Sequence, residues 1–249
     1  MEEIWLPLLG LAAGVIGSMV GLGGGFVVVP VLTFMGFSPT AAASSSLFAA
    51  FSSASAATAS YARQKRIDYR TGLTLGLLAL PGTVLGALFS AAATPDIFRL
   101  FFGIVLVGSA AYLLLSSRIG EGQRRSHLTV LLLSIAASFF AGIISSFFGI
   151  GGGLVFVPLM VAIMGMSMWR AAPTAQLVLM FVAFTGMVTH TLLGHPDFYH
   201  ALLLSSGAFV GGLLGAKLSL NLRERGLRIL AAVVILVVAA KLFWDAVAG

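Results

Sequence analysis

Two ten-residue stretches carry the residues most able to do chemistry: GLGGGFVVVP at 21–30 and GIGGGLVFVP at 149–158. Each sets Gly-x-Gly-Gly-Gly ahead of an apolar run that closes on proline, inside a segment apolar enough for a membrane helix. Glycine and proline both interrupt such a helix. A helix that restarts after a glycine run exposes unpartnered N–H groups at the positive end of its dipole, and the missing side chains let an anion approach them. Gly23, Gly24 and Gly25, with Gly151, Gly152 and Gly153, are therefore candidate substrate-binding positions. The next segment of each half adds neutral polar groups: Ser44, Ser45 and Ser46 in the first, Thr174 and Gln176 in the second. Hydroxyl and amide donors complete an anion site without a formal charge. A lone membrane glycine would read as helix packing instead, as do the serines from Ser52 to Ser60.

His190, in GMVTHTLLG, is the candidate proton-coupling group, against the competing reading of a histidine satisfied by hydrogen bonds. His195 and His200 fall in the adjoining loop. No carboxylate lies in the middle of an apolar segment, Asp245 standing at the very end of the last, which argues against a cation carrier or a carboxylate proton relay. Nothing has the spacing of a metal site, a carboxylate dyad or a nucleophile with its base, so neither catalysis nor a cofactor or metal is expected. Phe26 and Leu154 stand where the last glycine of a dinucleotide fingerprint belongs, and no βαβ pattern surrounds them. With no cysteine in the chain, thiol chemistry and thiolate metal sites are excluded.

The elements that must position these residues are membrane helices. The chain has 249 residues, 59% hydrophobic and only 9% charged, with a mean hydropathy of +1.07. That charge is too little to cover a soluble surface, and several apolar runs reach the roughly 20 residues needed to span a bilayer. The start, MEEIWLPLL, lacks the basic region of a cleaved signal, so the first apolar segment is expected to be retained. A net charge of +6 would suggest nucleic acid in a soluble protein; here the basic residues sit in short loops, where they set topology.

Gly149 stands 128 positions after Gly21, and past Gly36 the offset becomes 129. At that offset Asp68 meets Asp197, Arg99 meets Arg228, and PGTVLGALFS at 81–90 meets VGGLLGAKLS at 210–219. The chain thus reads as two homologous halves, 1–120 and 128–249, joined by a cytoplasmic linker at 121–127. Each half has four apolar segments: 4–36, 39–61, 71–93 and 97–117, then 128–165, 170–193, 200–220 and 226–247. The first of each half is too long for one crossing. Split at the glycines, it gives pieces of about 15 residues, about 22 Å as helix and short of a full span.

Loop charges decide between topologies. If each long segment crosses once, the fourteen Lys and Arg divide eight against six. If the chain turns back at the glycines, the halves are inverted and only Arg99 and Lys241 oppose the other twelve. The positive-inside rule selects the second arrangement, with both termini non-cytoplasmic. The expected fold is an all-α polytopic membrane protein of two inverted-topology repeats. Each opens with a Gly-broken segment, re-entrant or a short hairpin, followed by three transmembrane helices. Six crossings plus two re-entrant hairpins and a count of up to ten helices both satisfy the parity. Broken helices in inverted repeats are a recurring carrier architecture.

The duplicated Gly-x-Gly-Gly-Gly motif with its proline, and PTAQL at 173–177, resemble the TauE/SafE sulfite exporter family (DUF81, TSUP) over essentially the whole chain. The matching positions are Gly21, Gly23, Gly24, Gly25 and Pro30, then Gly149, Gly151, Gly152, Gly153 and Pro158, with Thr174, Ala175 and Gln176. SSSL stands in the first half where the second has TAQL, which implies an asymmetric site. The resemblance implies an inner-membrane permease for sulfite or an organosulfonate such as sulfoacetate or sulfolactate. The expectation is therefore a secondary transporter, exporting such an anion by alternating access. Its partners would be the small anion, the bilayer and a coupling ion, H+ or Na+. A passive anion channel is the alternative, and a membrane subunit that scaffolds a partner is a further rival.

Overall fold

The computed structural model describes residues 5–91 and 127–222, with isolated positions between 101 and 108 and between 226 and 240. The expected segments 97–117 and 226–247 lie almost wholly outside the described residues, as do Arg99, Lys241 and all of the linker but its last residue. Eight complete helices make up the described residues: α1 (Trp5–Val20), α2 (Gly25–Phe34), α3 (Pro39–Arg63), α4 (Tyr69–Ser90), α5 (His127–Phe148), α6 (Gly153–Ala162), α7 (Met168–Leu192) and α8 (Phe198–Leu218). A 3-10 turn at Ser219–Asn221 extends the last. No strand occurs among them.

Both long apolar segments break at their glycines. The pieces are unequal, however: α1 and α2 have 16 and 10 residues, α5 and α6 have 22 and 10. At about 1.5 Å per residue α2 and α6 extend about 15 Å, half of a roughly 30 Å core, whereas α5 at about 33 Å is long enough to cross it. The expectation that every piece is too short fails for α5. The break falls at the glycines rather than mid-segment, and nothing between His127 and Phe148 interrupts the helix.

Local chemistry sets the other boundaries. Pro39 opens α3, and Ser38 Oγ accepts from the Ala41 N–H. Asp68 caps α4 by accepting from Thr71 N–H, and Asp197 caps α8 by accepting from Tyr199 and His200 N–H. The Asp68–Asp197 correspondence between the halves is thus a shared helix start. By length and composition α4, α7 and α8 (the last with its 3-10 turn) can cross a membrane. α3 has the same 25 residues as α7, but its serine and alanine content makes it less apolar.

Small residues bring these helices together. Gly10 of α1 lies on Leu204 and Ala208 of α8, and Gly207 and Gly215 of α8 lie on Pro7 and on Val15 and Ser18 of α1. The numbers rise together, so α1 and α8 run parallel. In the same way Gly82 and Gly86 of α4 meet Phe139 and Ile143 of α5, and Gly142 of α5 meets Ala79 and Thr83 of α4. A Cβ at any of these glycines would overlap the facing backbone, so their absence sets the helix spacing. Each half therefore lays its first helix on the fourth described helix of the other. The reciprocity continues at the turns, where Gly21 rests on Ala172 and Gly149 on Ala43. These contacts fix the register at 129 and pair Ser45 with Thr174 and Leu47 with Gln176, one residue away from an alignment of SSSL with TAQL.

Candidate functional site

The site is built around the two glycine turns. α1 ends where Leu22 N–H and Gly23 N–H both donate to Gly17 O, at 2.9 and 3.3 Å. Gly21 and Gly23 take positive φ (78° and 72°). The backbone then doubles back: Gly17 lies against Gly23 and Gly24, and Gly24 lies against Ala13, a turn further up α1. The second half repeats this, with Ile150 N–H donating to Ser145 O at 3.1 Å and Gly152 at φ 94°. α2 and α6 restart at Gly25 and Gly153, and neither start carries a side-chain cap. Their first N–H groups thus have no partner within their own helices.

The turns interlock. A Cβ on Gly25 would meet Gly149 O and Ile150 Cα, and one on Gly153 would meet Gly21 O and Leu22 Cα. Gly23 and Gly151 both abut the side chain of Leu179 from α7. Every residue from Gly21 to Gly25 and from Gly149 to Gly153 is buried. Close packing therefore accounts for Gly25 and Gly153 as well as for Gly21 and Gly149. Gly24 and Gly152 occupy the N-cap positions of the two short helices.

Among the polar candidates the structure separates free groups from occupied ones. Ser44 Oγ donates to Ala41 O, whereas the hydroxyls of Ser45 and Ser46 are buried and unpartnered. Ser46 Oγ lies 2.9 Å from where a Gly25 Cβ would stand, which places it at the turn. Thr174 is not brought there. Its hydroxyl donates to Arg170 O at 2.7 Å and accepts from Asp68 N–H at 3.0 Å, pinning the α3–α4 loop to α7. Gln176 Nε2 donates to Gly17 O at 3.0 Å, so this amide holds the end of α1, while its Oε1 is buried without a partner. Leu47, its counterpart, has no amide with which to hold Ser145 O.

Sequence reading missed Ser145 and Ser146. Both hydroxyls are buried and unpartnered, and Ser145 Oγ lies 3.2 Å from a Gly152 Cβ position. Their signal is the hydroxyl pair just ahead of the second glycine run, in SSFFGIGGG. His190 is fully buried and bonded at both ring nitrogens, Nε2 to Ser146 O at 3.1 Å and Nδ1 to His195 Nδ1 at 2.9 Å.

The described charged groups have partners of their own. Arg66, in the α3–α4 loop, stacks on the Trp169 ring at 3.3 Å. It donates to Trp169 O, Gln64 Oε1 and Ser219 Oγ. Burial draws the guanidinium below its ordinary value, and the nearby Tyr61 opposes this. Asp197 pairs with His200 at 2.7 Å. Partial desolvation works to raise Asp197, but the bonds it accepts from His200 and Tyr199 outweigh this and hold it below the usual carboxylate value. Among the described residues no cluster of His, Asp or Glu could hold a metal.

Residues 6–242 match the family described as Sulfite exporter TauE/SafE. The chain is 28% identical to the probable membrane transporter protein YunE of Bacillus subtilis, over 99% of each chain. It is 25% identical to the probable membrane transporter protein YfcA of Escherichia coli K12, over 96% of this chain and 89% of that one. A probable membrane transporter protein of Methanocaldococcus jannaschii is 28% identical over 90% of each. No solved structure matches. The chain is a multi-pass membrane protein and belongs to the sulfite exporter TauE/SafE family of membrane transporters.

Proposed function

We propose that the chain is a secondary transporter that exports sulfite, or a small organosulfonate, by alternating access between two inverted repeats. The observation that carries the reading is the packing of two uncapped helix starts, α2 and α6, each on the glycine turn of the other half and beside the buried, unpartnered hydroxyl of Ser46 or Ser145. Backbone N–H groups and neutral hydroxyls bind an oxyanion without a fixed cation. The substrate-binding set is Gly23, Gly24, Gly25, Gly151, Gly152 and Gly153 with Ser45, Ser46, Ser145 and Gln176. Because both turns are sealed, an anion reaches these N–H groups only when the halves part, which favours a carrier over a passive channel. The reciprocal contacts between halves support the repeat, and the loop charges support its inversion, with the basic loops on the cytoplasmic side of the inner membrane and both termini opposite. A negative-inside potential drives anion efflux by about 2.3 kcal/mol per charge per 100 mV.

Proteoliposome flux against sulfite, sulfate, thiosulfate, sulfoacetate and chloride tests the reading. Saturable flux of sulfite or sulfoacetate with counterflow is expected; flux linear in concentration for all anions would establish the channel instead. Gly24→Leu and Gly152→Leu should abolish flux while folded protein remains in the membrane, and normal flux in either refutes the site. For inversion, Lys65→Cys and Leu193→Cys, on corresponding loops, should label from opposite sides of the membrane. Labelling from one side refutes it.

A further inference from the structure

At the register of 129 set by the glycine contacts, Tyr61 falls over His190, Arg66 over His195 and Lys65 over Gly194, and at the offset of 128 that holds ahead of Gly36, Ser18 falls over Ser146. The residue types differ but the bonds correspond. Tyr61 OH donates to Ser18 O at 2.8 Å, and His190 Nε2 lies 3.1 Å from Ser146 O. Lys65 and Gly194 both take positive φ (55° and 74°), so the two loops turn alike. In each half the last helical turn of α3 or α7 is thereby tied to the last turn of α1 or α5. Each carbonyl held this way belongs to the residue next to the one whose carbonyl closes the glycine turn, Gly17 or Ser145.

The two ties respond differently to acid. In the first half, Tyr61 also bonds Ser219 Oγ, and the Arg66 guanidinium lies over the Tyr61 ring at 5.1 Å. Neither phenol nor guanidinium changes charge between pH 5 and 8, whereas imidazole does. In the second half the tautomers follow from the partners. A carbonyl only accepts, so His190 Nε2 carries a proton. In a neutral ring Nδ1 is then bare and accepts from His195 Nδ1–H. One added proton goes to the far nitrogen of His195 and leaves this bond intact. A second puts N–H groups on both facing nitrogens and two positive charges on rings whose centroids are 5.1 Å apart, and the bond is lost.

The surroundings give the second proton no counter-charge. Ser146 comes from α5, and Leu47 of α3 lies beside Gly186, one turn up α7. Phe198, at the start of α8, packs on Phe48 of α3, and His200 packs on Phe37 of the α2–α3 loop. Asp197, the nearby carboxylate among the described residues, is taken by His200. Burial already draws His195 below its ordinary 6.5.

We propose that His190 and His195 form a proton-binding latch whose double protonation frees α7 from the end of α5 and opens the second glycine turn to the non-cytoplasmic side, while Tyr61 and Arg66 hold the corresponding place in the first half at every physiological pH. Proton binding follows from the geometry alone; its coupling to an anion rests on the transporter reading. The protons come from the solution outside and leave when the latch closes.

The chain has no cysteine, so a single one reports accessibility without further changes. Ser146→Cys, and independently Ser145→Cys, is labelled in proteoliposomes with a membrane-impermeant thiol reagent at pH 7.5 and 5.5. Reactivity is normalised at each pH to Leu192→Cys, whose parent residue is 82% exposed. Each bound proton changes a population by at most about tenfold per pH unit, so two protons over this interval set a ceiling of about 10,000-fold, and a rise of about tenfold or more at pH 5.5 is expected. His195→Gln should abolish the rise. His190→Tyr, which copies the first half, should hold the reporter at its pH 7.5 level. An equal rise in either variant, or none in the unsubstituted background, overturns the proposal. Sulfite and sulfoacetate flux in matched vesicles separates the two readings. Acid-gated labelling with no flux keeps the latch and removes the proposed substrate; flux with no acid gating does the reverse.

Discussion

Replacing Gly25 with alanine adds one methyl group at the seam between the two glycine turns. An ideal Cβ there overlaps Gly149 O and stands 2.7 Å from Ile150 Cα and 2.9 Å from Ser46 Oγ. The first two are backbone atoms, so relief requires the turns to separate. Overpacking of this kind costs about 1–3 kcal/mol. Gly153→Ala should behave alike, its Cβ lying 2.6 Å from Leu22 C across the same seam. Gly24→Ala is the control: its φ of −73° suits alanine and its nearest neighbours, all on Ala13, are 3.2–3.3 Å away, so its cost should stay within about 1 kcal/mol. Gly152→Ala falls between, because a residue with a Cβ costs about 1–2 kcal/mol in the left-handed region, while the Phe156 ring it meets at 2.9 Å can swing aside. Chemical unfolding in detergent measures all four. Since Gly25 and Gly153 press on one seam, the double variant should cost less than the sum of the singles. Gly25→Ala as stable as the parent, or Gly24→Ala the more damaging of the pair, would refute the interlocked arrangement.

Gln176→Leu copies the residue at the corresponding Leu47 and leaves Gly17 O with only its two backbone donors; a loss of about 0.5–1.5 kcal/mol in unfolding free energy is expected, and an unchanged value would mean the bond is not made. Tyr61→Phe removes the side-chain donor to Ser18 O and should destabilise by about 1–3 kcal/mol, measured the same way, with no dependence on pH between 5 and 8. His195 is pulled below 6.5 by burial in the folded chain, so the unfolded chain binds more protons just below that pH. Stability should therefore fall as pH drops from 6.5 through the lowered folded value. A titration of the unfolding midpoint should show this loss and His195→Gln should lessen it. Asp197, held below 3.8, adds a separate loss only in stronger acid.

The glycines announced themselves because their effect on the backbone is local; the prolines expected to interrupt the helices instead sit inside α2 and α6, Pro30 and Pro158, and the aspartates were legible as repeat partners rather than as caps. Gly21 and Gly149 mark turns wherever they stand. The uneven lengths of α1 and α5 were less legible, since helices apolar on every side show no periodicity from which to read an end. The hydroxyl candidates divided on tertiary grounds. Ser44 turns back to Ala41 O, Ser46 faces Gly25, and Thr174 is claimed by the Asp68 N–H of another loop, which no spacing in PTAQL reveals. Tyr61 and His190 stand at the repeat offset in the sequence, yet a phenol and an imidazole do not look alike. What they share is the carbonyl each one holds.

The bond from Gln176 to Gly17 O has no twin, because Leu47 stands in the other half. On the alternating-access reading, a perfect duplicate would exchange between two arrangements of equal energy, related by a two-fold axis in the membrane plane, and would rest equally facing either solution. In the arrangement described above this one bond is made, and in the exchanged one leucine would have to make it to Ser145. A net hydrogen bond is worth about 0.5–1.5 kcal/mol, which at room temperature weights two otherwise equal populations by about 2- to 13-fold. If the halves do exchange as proposed, this one side chain gives the pair a preferred resting side, and Leu47→Gln restores the balance.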